Sequence, residues 1–181
     1  MPHQNKIAPS IHPMKTIVTA LSMALISAAT LAAQGPRTPA QSIRANFTQL
    51  NKEVLDMAKD FPPDKYNYRP GEGVRSFAEV MVHIASGNIY GAKAGRGEQV
   101  KWDELDPKDY KTKESIVALV QKSVDDAAAT LKATPDEQFS KTLGPWMAVI
   151  EHEAEHFGQL NAYYRVNGIV PPQSRPQPKK N

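Results

Sequence analysis

The sequence predicts an all-α protein folded as a four-helix bundle. Three observations predict it. Apolar residues recur at steps of three and four in four separate stretches, the spacing of an amphipathic helix. Cap and breaker residues bound each stretch. Strand signals are weak throughout, and no internal repeat is present. Four helices, each with one apolar stripe, bury those stripes against one another as a bundle.

The first helix runs from Ala40 to Phe61, with Ile43, Phe47, Leu50, Val54, Met57 and Phe61 on its stripe. Pro62 and Pro63 end it, and Asp64 to Gly73 is a loop with Pro and Gly breakers. Ser76 is the N-cap of the second helix, and Glu79 three residues later completes a capping box. This helix carries Phe77, Val80, Met81 and Ile84 inward and reaches about Lys93, closed by Gly95-Arg96-Gly97. A charged connection follows to about Lys111. The third helix spans Thr112 to Ala133, with Ile116, Leu119, Val120, Val124, Ala128 and Leu131, and Thr134-Pro135-Asp136 stops it. Pro145 opens the fourth, which ends at Asn167-Gly168 with Pro171-Pro172 beyond.

The ends of the chain read differently. Met14-Lys15, the apolar run Ile17 to Ala33 and its small-residue exit describe a secretory signal peptide cleaved near Ala32 or Ala33, the alternative being an uncleaved N-terminal anchor. The polar preface 1–13 points to Met14 as the true start, which leaves His3 and His12 without a role. The expected organisation is therefore a signal peptide over 1–33, a linker over 34–39, the bundle over 40–172 and a Pro-rich basic tail over 173–181. Export follows, to the periplasm or the extracellular space, with no stable membrane insertion after cleavage.

Composition narrows the chemistry. The chain has no cysteine, so it offers no thiol nucleophile, thiolate ligand or lipid attachment site. Lys6 and Lys15 precede Ala33, and the remainder carries 20 basic against 19 acidic residues. The pI near 9 is thus no argument for nucleic acid as a partner. Roughly 148 residues after the signal suffice for one domain with one core.

The most informative stretch is the fourth helix. His152 and His156 stand one turn apart and share a face, a ready pair of metal ligands. On a helical wheel Tyr163 points almost along their mean direction, and Gln159 and Val149 lie about 40° to either side. That face is buried and partly apolar, so two hydrogen-bonded core histidines would also satisfy the pattern. His83 is the one other histidine of the folded region, mid-way along the second helix on the flank of its stripe. Burying three imidazoles without partners is costly, and a shared metal ion is a common partner in bundle interiors. The favoured reading is a metal-ligand set of His83, His152 and His156, and the alternative is three structural histidines satisfied by hydrogen bonds.

His152-Glu153-Ala154-Glu155-His156 also matches the H-E-x-x-H string of zinc peptidases, with Glu153 as the general base. Only 25 residues follow His156, and none is His, Asp or Glu. No downstream third ligand exists, which disfavours the peptidase. Glu153 and Glu155 each lie about 80° from the ligand direction, on opposite sides, and at least one reads as solvated surface.

With those residues in view, the chain resembles the DinB/YfiT-like family of small helical metal-binding proteins over nearly all of Ala40 to Pro172. The most specific part is His152-x-x-x-His156-x-Gly158-Gln159-Leu160, continuing to Tyr164-Arg165-x-Asn167-Gly168-x-x-Pro171-Pro172. Tyr68-Arg69-Pro70, a Gly-containing turn and Arg75-Ser76 before the helix of His83 match as well. The resemblance implies an antiparallel-type four-helix bundle holding one divalent ion, zinc or nickel, on His83, His152 and His156. It also implies homodimers in many members, hydrolases in some, and thiol-dependent transferases or isomerases in others. This chain departs from cytosolic members in its signal peptide, and carries Phe157 where the family often has a basic residue.

Three imidazoles leave at least one position on the ion open, as in catalytic zinc sites. Metal-bound water then becomes a nucleophile near neutral pH. The favoured expectation is a metal-dependent hydrolase of a small-molecule substrate. The alternatives are a non-enzymatic metal-binding or stress-related bundle, and a thiol-dependent S-transferase, which export disfavours. Gln159, Tyr163 and Tyr90 are the candidates for a polar shell around the ligands. Tyr90 lies seven residues after His83 and about 20° off its direction.

Overall fold

The structure is a computed structural model, and it describes residues 36–176. The expected signal peptide, His3, His12 and the end of the basic tail lie outside the described residues. Five helices follow in order: α1 Pro39–Asp60, α2 Phe77–Gly95, α3 Lys113–Ala133, α4 Asp136–Phe139 and α5 Leu143–Val166. The described residues hold no strand, and no helix among them is long and apolar enough to cross a membrane.

Local sequence sets the boundaries. Thr38 caps α1 through a capping box with Gln41, and Pro39 fills the first position, where no N–H is needed. Ser76 and Glu79 form the expected box on α2: the Ser76 hydroxyl accepts from Glu79 N–H, and the Glu79 carboxylate accepts from Ser76 N–H. Both glycines that follow long helices have positive φ, Gly97 at 83° and Gly168 at 70°. At the end of α5, Ile169 N–H donates to Tyr164 C=O and Gly168 N–H to Arg165 C=O, a Schellman closure that requires the left-handed residue. The sequence reading differs from the structure at two points. α5 begins two residues before Pro145, because a proline in the first turn lacks only an N–H that the helix leaves free anyway. The single turn α4 was not expected, since four residues carry no periodicity.

The helices pack in the ring order α1, α3, α2, α5. α2 packs on α3 and α5, and α1 packs on the same two. Successive helices α1 and α2 therefore face each other across the bundle. The interior has two apolar clusters. One gathers Phe61, Tyr66, Phe77, Leu160 and Tyr164, with Phe61 and Phe77 stacked at 3.9 Å. The other gathers Ile43, Phe47, Leu131, Phe139, Trp146 and Val149, with Phe47 edge-on to Trp146 at 5.8 Å. Between them along α1, α2 and α5 lies a polar layer: Asn51, Ser86, Asn88 and Glu153, all buried, and the three histidines.

Candidate metal centre

His83 comes from α2, and His152 and His156 from successive turns of α5, the helix packed against it. The structure brings all three together. One nitrogen from each lies within 4.8 Å of the others. The ring centroids are 4.5 to 4.7 Å apart. Nε2 of His83 and Nε2 of His152 are 2.9 Å apart.

The second nitrogens define the rest of the site. His83 Nδ1 is 2.9 Å from Glu104 Oε1, and His156 Nδ1 is 2.8 Å from Gln159 Oε1. Carboxylate and amide oxygens only accept, so both Nδ1 atoms carry a hydrogen, and in the neutral ring that leaves Nε2 as the lone pair. The network thus assigns the shared hydrogen between His83 and His152 to Nε2 of His152. His152 Nδ1 is buried without a protein partner, covered by Trp102, whose ring centroid is 4.8 Å away. Gly87 on α2 makes this cover possible. A Cβ there would stand 2.9 Å from both His152 Nδ1 and Trp102 Cη2.

Burial sets the charge state. It pushes the His152 imidazole down to about 3, helped by His156, His83 and Arg75. His83 is lowered by burial and then by Arg75 and His156, against the pull of Glu104. Neutral imidazoles are the form that binds a metal. Three imidazoles converging through one edge, two of them oriented by an acceptor behind, form a nitrogen donor set for a divalent ion, which would take the place of the hydrogen shared between His83 and His152.

The sequence-based candidates divide. Gln159 supports His156 directly. The Tyr163 hydroxyl donates to the Arg75 carbonyl, and the Gln159 side chain lies beside it. Tyr90 packs on Trp102 at 5.4 Å rather than on a histidine. Glu155 is exposed, whereas Glu153 is fully buried. The Glu153 Oε2 accepts from Asn51 Nδ2 at 2.7 Å, and Asn88 Nδ2 donates to Asn51 Oδ1 at 3.0 Å. Burial raises the Glu153 carboxyl to about 8, against the opposing pull of Asn88 and Asn51. Oε1 of Glu153 and Oδ1 of Asn88 have no protein partner. A proton on Oε1 turns one of these two acceptors into a donor. A residue so enclosed is out of reach of the solvent water that a peptidase general base must activate.

Two residues escaped the sequence reading. Trp102 and Glu104 lie in the charged connection between α2 and α3, where no periodicity marks them. The lone tryptophan in that run was the one available signal.

Fold and site together define a small helical bundle with a three-histidine cluster between two adjacent helices. The DinB superfamily matches over residues 46–163, a span that includes all three histidines, and the chain belongs to that superfamily. No curated protein matches the chain.

Proposed function

We propose that this chain is an exported, metal-dependent hydrolase of a small substrate, with one divalent ion, zinc or nickel, on His83, His152 and His156. The observation that carries the metal reading is the convergence of one nitrogen from each histidine within 4.8 Å, two of the three rings being backed by Glu104 and Gln159. A divalent ion there supplies Lewis acidity and a more acidic water. Burial disfavours a charge on His83 and His152, and Glu104 and Gln159 orient His83 and His156. The buried Glu153 and its asparagines lie toward α1 and serve the bundle rather than the ligand edge. The family's tendency to dimerise extends the proposal to a homodimer, which sedimentation of the purified protein tests.

The experiment is metal analysis of the exported protein, followed by a panel of ester, amide and lactam substrates with and without chelator. One equivalent of zinc or nickel is expected, lost in His83→Ala, His152→Ala and His156→Ala, together with chelator-sensitive turnover of at least one substrate class. Full occupancy in His83→Ala overturns the ligand set. Full metal with no turnover across the panel favours the non-enzymatic metal-binding bundle. Exported protein whose N-terminus begins before Met23 counts against signal cleavage.

A further inference from the structure

We propose that Glu104 is a positioning residue of the three-histidine centre, and that the connection 96–112 is a working part of that centre. This rests on the reading of His83, His152 and His156 as a ligand set.

Glu104 stands in the right place for this role. Its Oε1 meets Nδ1 of His83, the nitrogen opposite the one that faces His152. It therefore lies behind the ligand, on the far side from the point where the three rings converge, and is not itself a fourth ligand. A carboxylate on the rear nitrogen fixes the tautomer, holds the ring's angle and makes the leading nitrogen more basic. His83 needs this more than its partners do. His152 and His156 are held one turn apart by their shared helix, whereas His83 must meet them from across a helix interface.

Glu104 is in turn held. Arg75 Nη2 donates to both of its oxygens, at 3.0 and 3.3 Å. The Arg75 carbonyl accepts from Tyr163, whose neighbour Gln159 backs His156. Arg75 thus links the supports of two of the three ligands. As a surface ion pair alone, Arg75–Glu104 would contribute about 0–1 kcal/mol. The contact with His83, whose side chain is only 13% exposed, gives the carboxylate a partner that solvent screens far less.

The backbone around Glu104 is seated at both ends. On one side Leu105 N–H donates to the Ser86 hydroxyl at 3.1 Å, one turn along α2 from His83, and the Leu105 side chain packs against the first apolar cluster. The turn Pro107–Asp109 then rests on α2. On the other side Trp102 lies over His152 in the space that Gly87 leaves open. The connection is thus docked at three points on α2 and its neighbours, two of them, Leu105 on Ser86 and Trp102 on His152, beside the histidine cluster.

The test is zinc affinity, measured by competition with a chromogenic chelator, in Glu104→Ala and Glu104→Gln, beside thermal melting of each metal-free protein. Glu104→Ala is expected to bind zinc 10- to 100-fold more weakly, with its metal-free melting temperature lowered by no more than about 4 °C. Glu104→Gln is expected to recover part of the loss, because an amide oxygen still accepts from Nδ1–H. Wild-type affinity in Glu104→Ala overturns the proposal. So does a loss matched by an equal loss of metal-free stability, or one that Gln does not ease. His83→Ala and His156→Ala separate the two levels. If they also bind zinc normally, the ligand set is wrong; if they lose it while Glu104→Ala does not, only the role of Glu104 falls.

Discussion

The apolar clusters and the polar layer between them are built from the same helices by opposite rules. In the clusters contact and shape dominate, although the Tyr66 and Tyr164 hydroxyls donate to the carbonyls of Ala58 and Met57 and Trp146 Nε1 is buried without a partner. In the polar layer each buried group needs a specific partner, and several atoms lack one: Glu153 Oε1, Asn88 Oδ1 and His152 Nδ1. Buried polar atoms left unpaired destabilise a fold. Of these, His152 Nδ1 belongs to the histidine face, whereas Glu153 Oε1 and Asn88 Oδ1 belong to the core face, where Asn51 joins the two side chains. The clusters hold the helices at fixed spacing, and the layer uses that spacing to set nitrogens against one another.

The largest expected effect breaks a cluster and spares the layer. Trp146 is fully buried and packs edge-on to Phe47. Trp146→Ala should cost about 3–5 kcal/mol of stability in denaturant unfolding, through lost burial and the cavity left behind. Below the transition, zinc affinity of the folded protein should stay near wild type. A selective loss of zinc affinity without loss of stability would mean that cluster and layer are not separable.

The next effect is electrostatic and lies wholly in the layer. Burial raises the Glu153 carboxyl in the folded chain to about 8, against an ordinary value of 4.5. Between those values the folded chain holds a proton that the unfolded chain releases. Its contribution is fully present below about pH 4.5, declines as pH rises, and is gone once pH passes the folded value. His152 has the opposite sign. Its folded value is near 3 against 6.5, so its contribution is present above pH 6.5 and is lost as pH falls toward 3. Metal-free protein should therefore be most stable in mildly acidic solution. Glu153→Gln should flatten the alkaline side, removing a slope of up to about 1.4 kcal/mol per pH unit. Unfolding curves in chelator from pH 5 to 8.5 check this. An unchanged slope would mean that Glu153 is ionised and paired in the folded state.

The same contrast explains what the sequence could reveal. Apolar stripes repeat, so Phe47, Phe77, Val80, Ile84 and Leu131 were readable from spacing, and so were the caps at Ser76 and Gly168. The three histidines were readable because each sits on or beside a stripe. Glu153 was not, for a geometric reason. A wheel offers one inward direction per helix, but α5 packs on both α1 and α2. The histidines point toward α2, and Glu153 points toward Asn51 of α1. Two neighbours bury two directions. Nor did spacing reveal the ring order, because periodicity says which face is buried and not against which helix. Trp102 and Glu104 are held by tertiary contacts to His83, His152, Tyr90 and Arg75 in a run of charges, and a charge run reads as solvent-facing until the chain is folded.

The smallest expected effect compares Gln159 with Glu153. They stand on the same helix beside the same histidines, yet one faces the ligands and the other the core. Gln159 accepts from His156 Nδ1 at 2.8 Å; the carboxylate of Glu153 is taken up by Asn51. Gln159→Ala should therefore weaken zinc binding by about tenfold, the lower end for loss of a ligand's supporting hydrogen bond. It should leave metal-free stability almost unchanged, because Gln159 is partly exposed and water can take its place at Nδ1. Its effect should be smaller than that of Glu104→Ala, because a hydrogen bond to a charged acceptor is stronger than one to an amide, and because His156 is already placed by sharing a helix with His152. Glu153→Gln should leave zinc affinity within about twofold while changing the pH profile of stability. The two variants thus exchange phenotypes, one moving affinity and the other moving stability. If Glu153→Gln instead lost zinc, or kept it but lost a peptidase activity shown by the wild type, the division of α5 into a ligand face and a core face would be wrong. The H-E-x-x-H string would then carry the chemistry that its spacing first suggested.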